Sequence, residues 1–319
     1  MKGVYNLKVS TNKIKYELSF KRGVTIIKGD SATGKTELIR LIQMYQRNGE
    51  SSGVKLECTV RCQAIWRSLE DAVSVIKSTS NEILFFDETD RFVLTHEFAS
   101  AVKHCDCYIV IINRESIDNL AYSVKEIKQL VCKKKQVNVN MLEELYPRVD
   151  EIEPFIVETV VTEDMNSGFE MFSAVFNCTC ISAGGSGNIS KALNELKEER
   201  NILVIVDGAA FGAFYERIRM CIKQSKGRIV LWMPESFEYL LLKSGIIDGI
   251  DEVLLIHTEL YADTKDYLSW ERFYTDVLEK ATKNMPEYRY TKSKLTVGYQ
   301  EKANINKFSK VIPSRISVK

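Results

Sequence analysis

The sequence predicts an α/β chain made of two successive parallel-sheet units. Three observations carry this. Short apolar runs of strand length alternate with segments of helical spacing along most of the 319 residues. One strand–helix junction, over residues 24–42, encloses a loop bracketed by two glycines. A second series of strands, turns and helices begins after Pro154. Such alternation implies parallel strands covered by helices, with ligands held at the carboxyl ends of the strands.

Bulk composition agrees. The apolar fraction is 45%, the charged fraction 27% and the net charge +1, values ordinary for a globular protein. No global field draws the chain toward nucleic acid or membrane. A chain this long exceeds one compact core, so two domains are expected, over 1–150 and 151–260, followed by a helix and basic tail over 261–319.

Residues 3–9 and 14–20 alternate loosely about a polar turn and predict a β-hairpin. Residues 24–28 form the next strand. Gly29-Asp30-Ser31-Ala32-Thr33-Gly34-Lys35-Thr36 follows, a complete G-x-x-x-x-G-K-[ST] pattern, and residues 37–47 continue as a helix. The glycines let the backbone wrap a phosphate, and the helix N-terminus aims unpaired N–H groups at it. Lys35 reaches the outer phosphates and the Thr36 hydroxyl ligates Mg²⁺.

Residues 54–65 predict a strand and 66–77 a helix. The apolar run at 83–86 ends in Asp87-Glu88. Downstream of such a loop, Asp87 is placed to hold Mg²⁺ through its water shell and Glu88 to polarise an attacking water. A helix over 92–103 and a buried strand over 108–112 come next. Asn113 then either senses the outer phosphate or caps a helix beginning near Glu115. The lysine run closing 125–135 suits the C-terminal end of a solvated helix. Residues 142–154, with Pro147 and Pro154, read as a linker.

These motifs resemble the P-loop nucleoside triphosphatases. The hairpin ahead of the loop strand is similar to ATP-binding-cassette-like ATPases, and a polar residue after the strand at 108–112 to the additional-strand class. The resemblance implies ATP and Mg²⁺ as ligands. The Leu-Ser-Gly-Gly-Gln-like segment of cassette enzymes is absent between the two motifs.

In the second half, residues 155–161, 178–181, 202–206 and 228–232 predict four strands, with helices over 169–176, 189–196 and 214–224. Glu163 follows the first strand, Asp207 the third, and Glu238 lies beyond the fourth. This order resembles a TOPRIM domain, and a P-loop ATPase followed by one is the domain order of the OLD (overcoming lysogenisation defect) family. The resemblance implies a metal site of Glu163, Asp207 and Glu238, because Mg²⁺ takes oxygen ligands and two-metal cleavage needs several carboxylates. Two departures weaken nuclease chemistry. Ala209 stands at the second acid of the family's Asp-x-Asp, and Asp164 at the glycine after the first acid. A rival reading takes the glycine-rich turn at 182–187 and the strand ending in Asp207 as a cassette signature with its acid strand, but Gly208 then replaces the expected glutamate.

Residues 253–256 predict a short strand and 267–281 a helix. Beyond 283 the composition turns basic, with Tyr288, Tyr290, Tyr299 and Phe308 interleaved. Such a tail either docks on protein or binds single-stranded nucleic acid by charge and stacking. The eight cysteines read as free thiols in a reducing compartment. No apolar leader or membrane-length run is present, so the cytoplasm is the expected location, with no membrane partner.

The resulting expectation is a slow Mg²⁺-dependent ATPase whose nucleotide state controls a degenerate TOPRIM-like module. An OLD-like metal-dependent DNA nuclease and a non-hydrolysing, nucleotide-regulated scaffold are the alternatives. Expected partners are nucleotide, a second subunit completing the site, and nucleic acid at the tail.

Overall fold

The alternating residues near the start become β1 (Tyr5–Ser10) and β2 (Lys15–Phe20), an antiparallel hairpin in full register from Tyr5 opposite Phe20 to Ser10 opposite Lys15. The computed structural model describes residues 1–319 except 31–32, 67, 134–137, 149 and 319. It divides into two units, Met1–Pro147 with His257–Ser269, and Arg148–Ile256 with Trp270–Lys319. The stretch after residue 260 is therefore shared between the units and forms no separate tail.

In the first unit the hairpin is followed by β3 (Val24–Lys28), β4 (Lys55–Glu57), β5 (Arg61–Ile65), β6 (Ser80–Phe86), β7 (Asp106–Ile112), β8 (Ile127–Lys133) and β9 (Val139–Glu144). Among the described residues they make one sheet in the order β4-β1-β2-β9-β8-β3-β7-β6-β5. The run β8-β3-β7-β6-β5 is parallel throughout. All five residues of β3 are buried, as expected of a central strand covered on both faces. Helix α1 (Lys35–Asn48) buries Leu38, Ile39, Leu41 and Ile42 in the cluster that holds Ile27, Phe85, Tyr108 and Val110. Helices α2 (Leu69–Ser78) and α3 (His96–Val102) are started by side-chain caps. The Ser68 hydroxyl accepts from the Asp71 N–H at 3.3 Å and the Thr95 hydroxyl from the Phe98 N–H at 3.2 Å.

Several expectations for this unit are corrected. The predicted strand over 54–65 is two strands, because β4 pairs with the sheet edge at β1 while β5 pairs with β6. Residues 127–133 are a strand, not a helix end. Its lysines answer acids across and beside the ladder, Lys133 to Glu143 at 3.0 Å and Lys128 to Glu144 at 3.6 Å. Lys134 and Lys135 lie outside the described residues. The supposed linker from 142 is the end of β9. No helix starts near Glu115, and Asn113 instead accepts from the Glu115 N–H at 3.3 Å within a turn.

In the second unit β10 (Phe155–Val157) pairs parallel with β15 (Ile316–Val318), and a four-stranded parallel sheet runs β12-β11-β13-β14. Its members are β11 (Thr159–Thr162), β12 (Thr179–Ser182), β13 (Ile202–Ile205) and β14 (Ile229–Trp232). The expected single strand at 155–161 breaks at Glu158, where the N–H groups of Glu158 and Thr159 both turn to the Asn201 carbonyl. The helices are α4 (Ser167–Phe176), α5 (Ile189–Glu195), α6 (Tyr215–Gln224), α7 (Phe237–Lys243), α8 (Glu252–Ile256), α9 (Trp270–Thr282) and α10 (Lys302–Ser309). Thus 253–256 is helical where a strand was expected.

In the basic C-terminal segment three of the four interleaved aromatic rings pack inward, which agrees with the docking alternative. Tyr290, Tyr299 and Phe308 are buried, so they are closed to base stacking. Phe308 meets Phe172 and Phe237 at ring-centroid distances of 5.8 and 5.9 Å. Among the described residues no helix is long and apolar enough to cross a membrane.

Candidate functional site

The loop between β3 and α1 has the backbone its glycines allow. Gly29 and Gly34 adopt φ of +134° and +89°, a region that disfavours side chains. Gly34 is also crowded. A Cβ there would lie 2.9 Å from the Tyr16 hydroxyl oxygen, and that hydroxyl donates to the Gly34 carbonyl at 2.8 Å. β2 of the hairpin therefore positions the start of α1. Ser31 and Ala32 lie outside the described residues.

Lys35 folds back over the loop. Its ammonium donates to the Gly29 carbonyl (2.9 Å), the Asp30 carbonyl (2.6 Å) and the Thr33 hydroxyl (2.9 Å), and the residue is 6% exposed. Burial pulls its pKa below the ordinary lysine value, with Glu88 opposing and Arg114 reinforcing the fall. A cavity of about 550 Å³ opens beside it, lined by Thr33, Gly34, Lys35, Thr36 and Glu37 together with Arg40, Glu88 and Arg114. This is within the size range of small-ligand sites.

Glu88 thus comes to the loop from the end of β6. Asp87 does not line the cavity. Its carboxylate turns onto its own strand end, accepting from the Glu88 N–H at 2.9 Å, while the Asp87 N–H donates to Asp90 at 3.0 Å. Two arginines escaped the sequence reading. Arg114, one residue past Asn113, donates from Nε to Glu88 Oε2 at 3.1 Å. Arg40, four residues along α1 from Thr36, is held by a two-pronged pair to Glu37 at 2.6 and 2.7 Å. The strand-end position after β7 was the usable signal for Arg114. For Arg40 it was the i,i+4 spacing from Thr36.

The three acids of the second unit converge at the carboxyl edge of its sheet. Glu163 follows β11, and one of its carboxylate oxygens accepts from the Ser186 hydroxyl while the other accepts from the Asp207 N–H. Asp207 follows β13. Backbone bonds from Gly208 to the Pro234 carbonyl and from Ala209 to the Glu235 carbonyl pin it there. Its Oδ1 accepts from the Phe237 N–H at 3.0 Å. Glu238, on α7, accepts from the Tyr290 hydroxyl at 2.8 Å through Oε1. Ala209, two residues past Asp207, is 3% exposed and sealed in the core. Burial raises all three carboxyl pKa values, Asp207 well above the ordinary range. Beyond burial, Glu271, Glu238 and Glu163 push Asp207 further. Glu271, at the start of α9, and Lys292 complete the group, and neither was singled out in the sequence.

No family model, curated protein or solved structure matches this chain.

A pH experiment follows from the Asp207 carboxyl. Its folded pKa is raised, so the folded state holds the proton more tightly than the unfolded chain does. Stability from this group is present below the unfolded value and is lost as pH rises through the folded value. Asp207→Asn keeps the acceptor for Phe237 N–H and removes that loss. Thermal melts from about pH 4 upward are expected to show the variant gaining on the parent as pH rises. A gap that stays constant or narrows would contradict the assignment.

Proposed function

We propose that the protein binds ATP with Mg²⁺ in the first unit and hydrolyses it slowly, and that nucleotide state controls the second unit. The observation that carries this is the Lys35 ammonium. It is buried over a loop of left-handed glycines at the head of a 14-residue helix, and it faces a cavity shared with Glu88 and Arg114. On this reading the first unit is a P-loop NTPase domain of the additional-strand kind, and the placement of β7 between β3 and β6 supports that. The second unit is a TOPRIM-like domain without nuclease chemistry, supported by its all-parallel sheet and the buried Ala209.

The residues divide the work. The first N–H groups of α1 and the Lys35 ammonium take the phosphates, with Lys35 exchanging carbonyl partners for phosphate oxygens. Arg40 and Arg114 add positive charge at the mouth. The Thr36 hydroxyl and, through water, Asp87 are the groups to hold Mg²⁺, whose charge would offset that of the phosphate oxygens. Glu88 accepts a proton from the attacking water once Arg114 turns from it to the outer phosphate.

The Arg114–Glu88 pair also favours a second reading, in which Glu88 stays engaged and nucleotide acts only as a ligand. Phosphate release from MgATP by the whole protein separates the two. Sustained release over many turnovers supports the ATPase. Saturable ATP binding with no release supports the ligand reading, and no binding at all would remove both.

A further inference from the structure

The acid cluster of the second unit shares its cavity with a lysine. Glu163, Asp207, Glu238 and Lys292 line one small cavity, of about 30 Å³. The Lys292 Nζ bonds to Glu271 Oε1. Burial draws the Lys292 pKa down, but Glu271, Glu238 and Asp207 outweigh it and hold the ammonium above the ordinary lysine value. The segment carrying it is fixed from two sides. The Lys292 carbonyl accepts from the Ser167 N–H at 3.4 Å and the Ser167 hydroxyl at 3.2 Å. Tyr290, two residues earlier, donates to Glu238 and shares a 3.0 Å hydrogen bond with the Ser167 hydroxyl. Glu238 is 1% exposed, lines the cavity, and its Oε2 has no hydrogen-bond partner.

A divalent metal does not fit this arrangement. Mg²⁺ needs several oxygen ligands and keeps several waters, whereas the cavity has room for about one water. Among the described residues no group of three or more His, Cys, Asp or Glu side chains is placed to hold a metal ion.

We propose that Lys292 is the built-in cation of this cluster and serves it instead of a divalent metal. An ammonium brings one charge, three donors and no acceptor, so it can offset carboxylates without a hydration shell. It lines the cavity beside them, and its side chain is partly exposed. The second unit would then be metal-independent, with its acids set for structure around an internal ion pair. This inference does not rest on nucleotide binding.

The test is Mn²⁺ binding by the full-length protein without nucleotide, followed by electron paramagnetic resonance and by melting temperature. The parent is expected to bind no Mn²⁺ that Asp207→Asn or Glu238→Gln removes. Lys292→Ala is expected to lower the melting temperature by about 5 °C. It should also gain one Mn²⁺ site, with Kd below about 1 mM, that restores the lost stability. Adding Glu238→Gln should abolish the new site. Lys292→Arg, which keeps the charge, should need no metal. A parent Mn²⁺ site lost in Asp207→Asn would overturn the proposal. So would a Lys292→Ala protein as stable as the parent and indifferent to Mn²⁺. If Lys292→Ala does not fold with or without Mn²⁺, the comparison of parent with Asp207→Asn decides alone.

Discussion

Replacing Lys35 by alanine is expected to weaken MgATP binding by about 100-fold. The ammonium would make two charge-assisted hydrogen bonds to the outer phosphates, which together are worth about 3 kcal/mol, or roughly two decades in Kd. The free protein forgoes the bonds of Lys35 to the Gly29 and Asp30 carbonyls and the Thr33 hydroxyl. Asp30 is exposed and Thr33 half-buried, so water can replace much of what is lost and the fold should persist. Isothermal titration calorimetry of both proteins, with melting curves as the folding control, checks this. A Kd within twofold of the parent in a folded variant would remove the loop from the binding site.

Glu88→Gln is expected to separate binding from turnover. Glutamine keeps the size of the side chain and its contact with Arg114 but cannot take a proton from water. Loss of general-base assistance costs roughly 100- to 10,000-fold. Phosphate release should therefore fall by at least about 100-fold. ATP affinity should hold or tighten, because Arg114, no longer neutralised at 3.1 Å by a carboxylate, presents its full charge to the phosphates. Steady-state phosphate release alongside equilibrium ATP binding reads both quantities. Unchanged turnover would mean that another group activates the water. Equal losses in binding and turnover would place Glu88 in ligand recognition instead.

Most strands and helices near the 29–36 loop were legible because their signals are local. A buried central strand such as β3 is a continuous apolar run, and α1 follows from helical spacing and a glycine stop. The failures share one cause. Residues 253–256 and 127–133 are short segments whose composition suits more than one state, and their neighbours chose. β8 is a strand because β3 and β9 flank it. The break at Glu158 depends on a carbonyl more than forty residues away. The sequence left Tyr290, Tyr299 and Phe308 open between docking on protein and stacking on bases, because a basic surrounding sequence says nothing about which rings are turned inward.

The candidate site divides in the same way. Gly29, Gly34, Lys35 and Thr36 are contiguous, so their chemistry is written in a single stretch of chain, as is the strand-end pair Asp87-Glu88. Only tertiary structure decided that Glu88 shares the cavity with Lys35 and Arg114 while Asp87 turns away. In the second unit the sequence by itself determined that three acids follow parallel strands, and hence that they meet at one edge of the sheet. It could not place Glu271 and Lys292 among them. Those two residues arrive from segments 64 and 85 positions beyond Asp207, brought in by the packing of α9 and by the Ser167 and Tyr290 hydrogen bonds. Charge compensation acts through space, and the chain order holds no record of it.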